Sequence, residues 1–215
     1  MKKGYFITGT DTGVGKTIVS CALLHRFATT GQRVVGMKPI VAGREEGHWI
    51  DVDLLRAASN VSVTPEQMNP YAFAPPIAPH IAAQQSGISI DLSVIQKRSD
   101  NLQEMADVVI AEGAGGFLVP LDQQRDGADL ARAVNFPVIL VVGMRLGCLN
   151  HALLSAQAIR VSGQRLAGWV ANCVDPDMLE PELNIETLKQ RLGCPLLGVL
   201  PYTKNVDAKQ FSTLL

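Results

Sequence analysis

No two of the four cysteines form a CxxC pair; Cys21, Cys148, Cys173 and Cys194 lie far apart in the 215-residue chain. That spacing argues against a disulfide framework or a zinc site and is what reduced thiols in a cytoplasmic protein would show. Lysine and arginine form no cluster and the net charge is −1, so no nucleic-acid or membrane-surface partner is expected. No apolar run is long and uninterrupted enough to span a bilayer. Met1-Lys2-Lys3 runs directly into the first predicted strand, which is expected to leave no room for a signal peptide. His80 and His151 lack a second histidine at metal-ligand spacing and read as structural. Neither a repeat nor a linker divides the sequence, so residues 1–215 are expected to form a single domain. A composition 47% hydrophobic and 18% charged suits a compact globular enzyme.

What is present begins with residues 4–20, GYFITGTDTGVGKTIVS. Tyr5-Phe6-Ile7 is β-prone, a glycine-rich turn follows, and Ile18-Val19 with Ala22-Leu23-Leu24 opens a helical apolar pattern. Strand, glycine loop, Lys-Thr and helix together predict a nucleoside-triphosphate site. Gly13 and Gly15 let backbone N–H groups curl around phosphate oxygens, and the helix N-terminus adds the positive end of its dipole. Lys16 is expected to reach the terminal phosphates and the Thr17 hydroxyl to sit on a magnesium ion. The loop is a one-residue variant of the usual spacing: the position six before the lysine is Thr10, and the glycine stands at Gly9.

Further along, Arg33–Lys38 reads as a second strand, residues 43–49 as a polar loop, and Asp51–Ala58 as a short helix. Residues 61–79, rich in proline, read as an irregular connection of the kind usually kept for function. Helices are predicted over 80–86 and about 91–105, the second capped by Asp91. Asp107–Ala111 is a continuous apolar run, as in a strand buried on both faces, and ends at Glu112-Gly113-Ala114-Gly115-Gly116. Strands over 137–142, 166–171 and 196–200 alternate with helices at about 150–162 and 180–192. This predicts a single-domain α/β fold of the phosphate-loop NTPase kind, a parallel sheet with helices on both faces. In such sheets ligands bind beyond the carboxyl ends of the strands. The loop 9–17, Lys38, Glu112 with its glycines, the 143–150 loop, Asn172 and Pro201–Thr203 should share that rim.

A carboxylate at the end of an apolar strand needs a cation or donors, so Glu112 is a candidate magnesium ligand, or else a cap or surface ion pair. Asp51 and Asp53 are equal candidates for a second carboxylate, and either also serves as a helix N-terminal acid. Lys38 is read as neutralising a substrate anion or the γ-phosphate in preference to a surface pairing.

The series GTDTGVGKT, MKPIVAG, NPYAFAPPIAPH, AEGAGG, VILVVGMRLGCLNHALL and GWVAN resembles the dethiobiotin synthetase family of the biotin pathway, in that family's order and from residue 4 to about 202. The resemblance implies an ATP- and Mg2+-dependent cyclo-ligase. In that reaction 7,8-diaminopelargonate takes up CO2 as a carbamate, the carbamate attacks the γ-phosphate, and the second amine closes the ureido ring as phosphate leaves. It implies that Lys16 is the phosphate lysine, Lys38 a catalytic lysine, and Thr12 a loop residue holding the diamine or carbamate. Thr17, Asp51 and Glu112 become the metal set, with Asp51 preferred to Asp53 for its spacing to Leu55 and Ser59. The nucleotide site extends over Gly13, Val14, Gly15, Lys16, Thr17 and Ile18, then Gly113, Ala114 and Gly115. Asn172 and Cys173, with Pro201, Tyr202 and Thr203, match the adenine-reading segment. Gly147, Cys148 and Asn150 match a loop receiving the substrate carboxylate across a homodimer interface. Two positions depart from the family pattern. Gly13 stands where some members have an acid, and Ala42 where many have a serine, so substrate contact at 42 is through backbone. The tail after 203 is short, and an adenine or ribose contact from a longer one is expected to be missing.

Two rival classes fit the sequence less well. A related amidotransferase-type ligase carries a glutaminase domain, for which this chain has no length. A nucleotide-switch partitioning or positioning ATPase carries a second lysine five residues before the first; that position is Asp11. Nor is there a basic or amphipathic segment for a membrane or DNA.

Overall fold

A computed structural model describes residues 3–204 and 207–215. Six parallel strands form the main sheet in the order β2-β5-β1-β6-β7-β8. They are β1 (Lys3–Gly9), β2 (Val34–Met37), β5 (Val108–Gly116), β6 (Val138–Met144), β7 (Leu166–Cys173) and β8 (Leu196–Leu200). A second, two-stranded parallel sheet pairs β3 (Ile40–Ala42) with β4 (Tyr71–Phe73). Among the described residues no helix is long and apolar enough to cross a membrane.

Period-two alternation divides the strand side chains between two cores. Phe6, Val35, Val109, Leu140 and Trp169 face one, which is covered by α5 (Leu92–Met105), α6 (Gly127–Val134), α7 (Cys148–Val161) and α8 (Pro181–Arg191). Ile7, Val34, Ile110, Val141 and Val170 face the other, against α1 (Lys16–Thr29), α2 (Ile50–Ala58) and α9 (Ala208–Phe211). The connection leaving β1 runs into α1 on this second face, while that leaving the adjacent β5 leads to α6 on the first. Neighbouring connections that part in this way leave a crevice between them.

Three expectations change. The strand read as ending at Glu112 continues to Gly116, because β1 pairs along it as far as Gly116, with a register shift between Ile7 and Gly9. The irregular 61–79 segment holds α3 (Pro65–Met68), with Pro65 at its first turn, and strand β4. Residues 117–136, for which no element was predicted, contain α6. Its start is fixed by reciprocal Asp126 and Asp129 side-chain bonds to backbone N–H groups, a capping box built from acids. Strand β3 and helix α9, at residues 40–42 and 208–211, were likewise not expected; the helix α4 (Pro79–Gln85) and the remaining elements lie within two residues of their predicted bounds.

Candidate active site

The loop between β1 and α1 turns through two left-handed glycines, Gly13 (φ 73°) and Gly15 (φ 86°). A Cβ at Gly15 would collide with the Asn172 amide, which donates to the Val14 carbonyl (2.9 Å). That bond ties the loop to the end of β7. Among the described residues no side chain caps α1, so its first N–H groups, which have no partners within the helix, are open to an anion.

Alternation decides where the charges go. Glu112, two residues after Ile110, shares its face, and Lys38, one residue past the end of β2, turns to the same side. There the Lys38 ammonium is 2.6 Å from Glu112 Oε1 and 2.7 Å from Asp51 Oδ2. The Thr17 hydroxyl stands 2.8 Å from both Asp51 Oδ1 and Glu112 Oε1; having one proton, it donates to one carboxylate at a time. Asn69 Nδ2 donates to the Lys38 carbonyl (2.6 Å) and fixes the backbone there. Lys38 is 3% exposed and Glu112 fully buried. Glu112 Oε2 has no hydrogen-bond partner among the described residues.

Burial drives the Lys38 ammonium toward its neutral form, but Glu112 and Asp51 outweigh it and hold its pKa above the ordinary value. Burial likewise pushes the Asp51 carboxyl up, and Lys38 with Thr17 brings it below its usual range. Lys16 donates to the Asp11 carbonyl (2.9 Å); burial, then the nearby Lys38, lowers its pKa to about 8. A lysine left short of partners in this way is matched to an incoming anion.

These groups line one cleft of about 600 Å³. It brings together Thr12, Gly13, Gly15, Lys16, Thr17, Ile18, Lys38, Ala42, Asp51, Glu112, Ala114 and Gly115. Val14 is buried, so only its backbone is available. Gly113 packs on Phe6 and offers Lys38 its carbonyl at 3.4 Å. Asp53 lies outside the cleft and pairs with His48 (3.1 Å), whereas Asp51 lines it. Asn172, Cys173, Pro201, Tyr202 and Thr203 stand at the carboxyl ends of β7 and β8 on the same rim, outside this cleft. Gly147, Cys148 and Asn150 stand at the start of α7 and do not line it; the Cys148 side chain is buried, so that position too has only backbone to offer.

Sequence reasoning missed the apolar wall of Ile40, Val41, Pro76, Ile77 and Val119; only Pro76 and Ile77 had a signal, the proline-rich connection in which they lie. It also missed Arg145, which reaches Asp11 across the loop. Among the described residues no group of three or more His, Cys, Asp and Glu side chains is placed to hold a metal.

A family model described as an AAA domain matches residues 3–210. The chain is 61% identical over 215 residues to the ATP-dependent dethiobiotin synthetase BioD of Nitrosospira multiformis, covering 100% of this chain and 95% of that one. It is 49% identical over 217 residues to the protein of the same name from Aromatoleum aromaticum, covering 99% and 96%. Among solved structures, the MinC:MinD cell division complex of Aquifex aeolicus matches with TM-score 0.63 and 15% identity, over 98% of this chain and 86% of that one. The septum site-determining protein MinD of Pyrococcus horikoshii, complexed with Mg-ADP, matches with TM-score 0.58 and 16% identity, over 94% and 82%. At such identities the structural likeness shows the phosphate-loop fold alone. The full-length similarity at 49–61% identity goes further: this chain belongs to the dethiobiotin synthetase family.

Proposed function

We propose that the chain is an ATP-dependent dethiobiotin synthetase that forms a cyclic urea from 7,8-diaminopelargonate and CO2. CO2 adds to one amine, which loses a proton and becomes a carbamate. A carbamate oxygen attacks the γ-phosphorus, and the bond to ADP breaks, giving a carbamic–phosphoric anhydride. The second amine attacks the carbonyl carbon, phosphate leaves with the carbon–oxygen bond electrons, and the amine proton passes to solvent.

Little covalent chemistry is asked of the protein; charge placement and orientation carry the rate. The observation that carries the reading is Lys38, a buried ammonium between Glu112 and Asp51 at the floor of the cleft beside the open N-terminus of α1. In this reading the amides of Gly13–Thr17 hold the phosphates and Lys16 leaves the Asp11 carbonyl for them. Lys38 offsets charge on the carbamate and the transferring phosphoryl group, while Thr12 orients the carbamate. Asn172, Cys173 and the 201–203 backbone read adenine. The backbone at Ala42 borders the diamine, and the apolar wall excludes water. A homodimer would bring Gly147, Cys148 and Asn150 of a second copy to the substrate carboxylate.

The residues present fit a magnesium ion: the orphaned, buried Glu112 Oε2 lies in a hard-oxygen set with Asp51 and the Thr17 hydroxyl. Those three would hold it, and when bound it supplies neutralisation of phosphate charge. The reading places the protein in the cytoplasm.

The test is phosphate release from Mg-ATP and bicarbonate with and without 7,8-diaminopelargonate, with the organic product identified by mass. Diamine-dependent release with a cyclic urea product is expected. Hydrolysis indifferent to the diamine would overturn the assignment and favour a nucleotide switch.

A further inference from the structure

The phosphate loop carries a carboxylate of its own. Asp11 is half exposed, and each of its acceptors is engaged: its carbonyl by Lys16 Nζ (2.9 Å), Oδ1 by the Thr12 N–H (2.7 Å), and Oδ2 by an Arg145 guanidinium nitrogen (2.5 Å). A carboxylate opposes a polyphosphate in the same loop; near a protein surface, at an effective dielectric of about 20, like charges a few ångströms apart repel by several times the thermal energy. Arg145 arrives from the strand beside the loop, 134 residues along the chain. β1 and β6 pair directly, and Thr10 N–H donates to the Val141 carbonyl (3.0 Å), so the two strand ends are held side by side. Asp11 is the only carboxylate paired with Arg145 among the described residues.

We propose that Arg145 is a positioning residue for nucleotide binding, acting through Asp11: it cancels that carboxylate's charge so that the loop meets a triphosphate as a cationic cradle. The inference rests on reading the loop as an ATP site. A plain structural tether between loop and sheet is the competing account, and two perturbations separate them. Removing the carboxylate together with the arginine restores a charge-balanced loop but leaves a tether broken. Salt screens an uncancelled charge and does not mend a tether.

The experiment is calorimetric titration of ATP into the parent, Arg145→Met, Asp11→Asn and the double variant, at about 0.05 M and about 0.5 M salt. Arg145→Met is expected to lose about tenfold in ATP affinity at low salt and only about threefold at high salt. Asp11→Asn in the same chain should return the affinity to within about threefold of the parent. In steady state, Arg145→Met should raise the KM for ATP by a similar factor with kcat within about twofold. A deficit that salt leaves unchanged, or that Asp11→Asn deepens, overturns the inference. Should Arg145→Met fail to fold, Arg145→Lys, which keeps the charge, and Asp11→Asn alone carry the test; each should bind ATP within about threefold of the parent, and a tenfold loss in either overturns it. A parent that binds no ATP overturns the functional reading and this inference together. A parent that binds ATP beside an unaltered Arg145→Met overturns this inference alone.

Discussion

Replacing Lys38 by methionine tests the centre of the site before any substrate is added. The side chain keeps its length and loses its charge. Glu112, fully buried, then keeps only the Thr17 hydroxyl as a hydrogen-bond partner among the described residues, and its second oxygen is already unpartnered there. Removing one member of a buried ion pair costs about 3–5 kcal/mol, mostly because the other charge stays in the interior. In a chain of this length that corresponds to a fall in Tm of about 6–20 °C. The assay is urea unfolding and calorimetry on nucleotide-free protein. Glu112→Gln in the same chain removes the stranded charge, so the double variant should recover more than half of the loss, and the cycle of four proteins should show strong coupling. Ring closure should be abolished in Lys38→Met at temperatures where it stays folded, with ATP binding largely kept. A Lys38→Met protein within about 1 kcal/mol of the parent, or a double variant no more stable than the single one, would refute the buried-pair argument.

Four further outcomes are expected. Lys16, with its pKa lowered to about 8 by burial and then Lys38, is about nine-tenths charged at pH 7 and about one-tenth at pH 9 in the free protein. Because a bound triphosphate favours the ammonium, ATP affinity should fall about tenfold over that interval with proton uptake on binding; calorimetry in buffers of different ionisation enthalpy reads both, and a pH-independent affinity contradicts it. Glu112→Gln should weaken Mg-nucleotide binding more than binding of nucleotide alone, whereas equal effects point to a structural role. Gly15→Ala places a Cβ at φ 86° against the Asn172 amide and should cost about 1–3 kcal/mol in urea unfolding together with most of the ATP affinity. Light scattering should show a dimer at assay concentrations; a monomer removes the cross-subunit role proposed for Gly147 and Asn150.

The sequence showed its local features well. The strand–loop–helix that carries Lys16 and Thr17 is written in contiguous residues, since period-two and helical patterns, glycines and caps act within a few positions. Glu112 was picked out by its costly place at the end of an apolar strand and Lys38 by its strand end beside the phosphate loop, whereas Asp51 was preferred to Asp53 only through the family resemblance. The helix α6 escaped because its eight residues give a short pattern, and its acidic capping box departs from the usual Ser/Thr–Glu form. The strands β3 and β4 escaped because three-residue elements between prolines leave little periodicity.

Which partners those residues would have was decided by the sheet. Parallel strands bury both faces and resemble one another as apolar runs, so nothing local records which lies beside which. In the folded chain β5 is inserted between β2 and β1. That order alone sets Glu112 next to Lys38, 74 residues away, and next to Thr17, 95 residues away. The pairing of β1 with β6 does the same for Asp11 and Arg145. The sequence by itself determined the phosphate-binding turn and the supply of charged side chains. Only the tertiary structure turned those charges into a buried, mutually compensated cluster, because the electrostatics that matter act through space, between residues that chain-local propensities cannot relate.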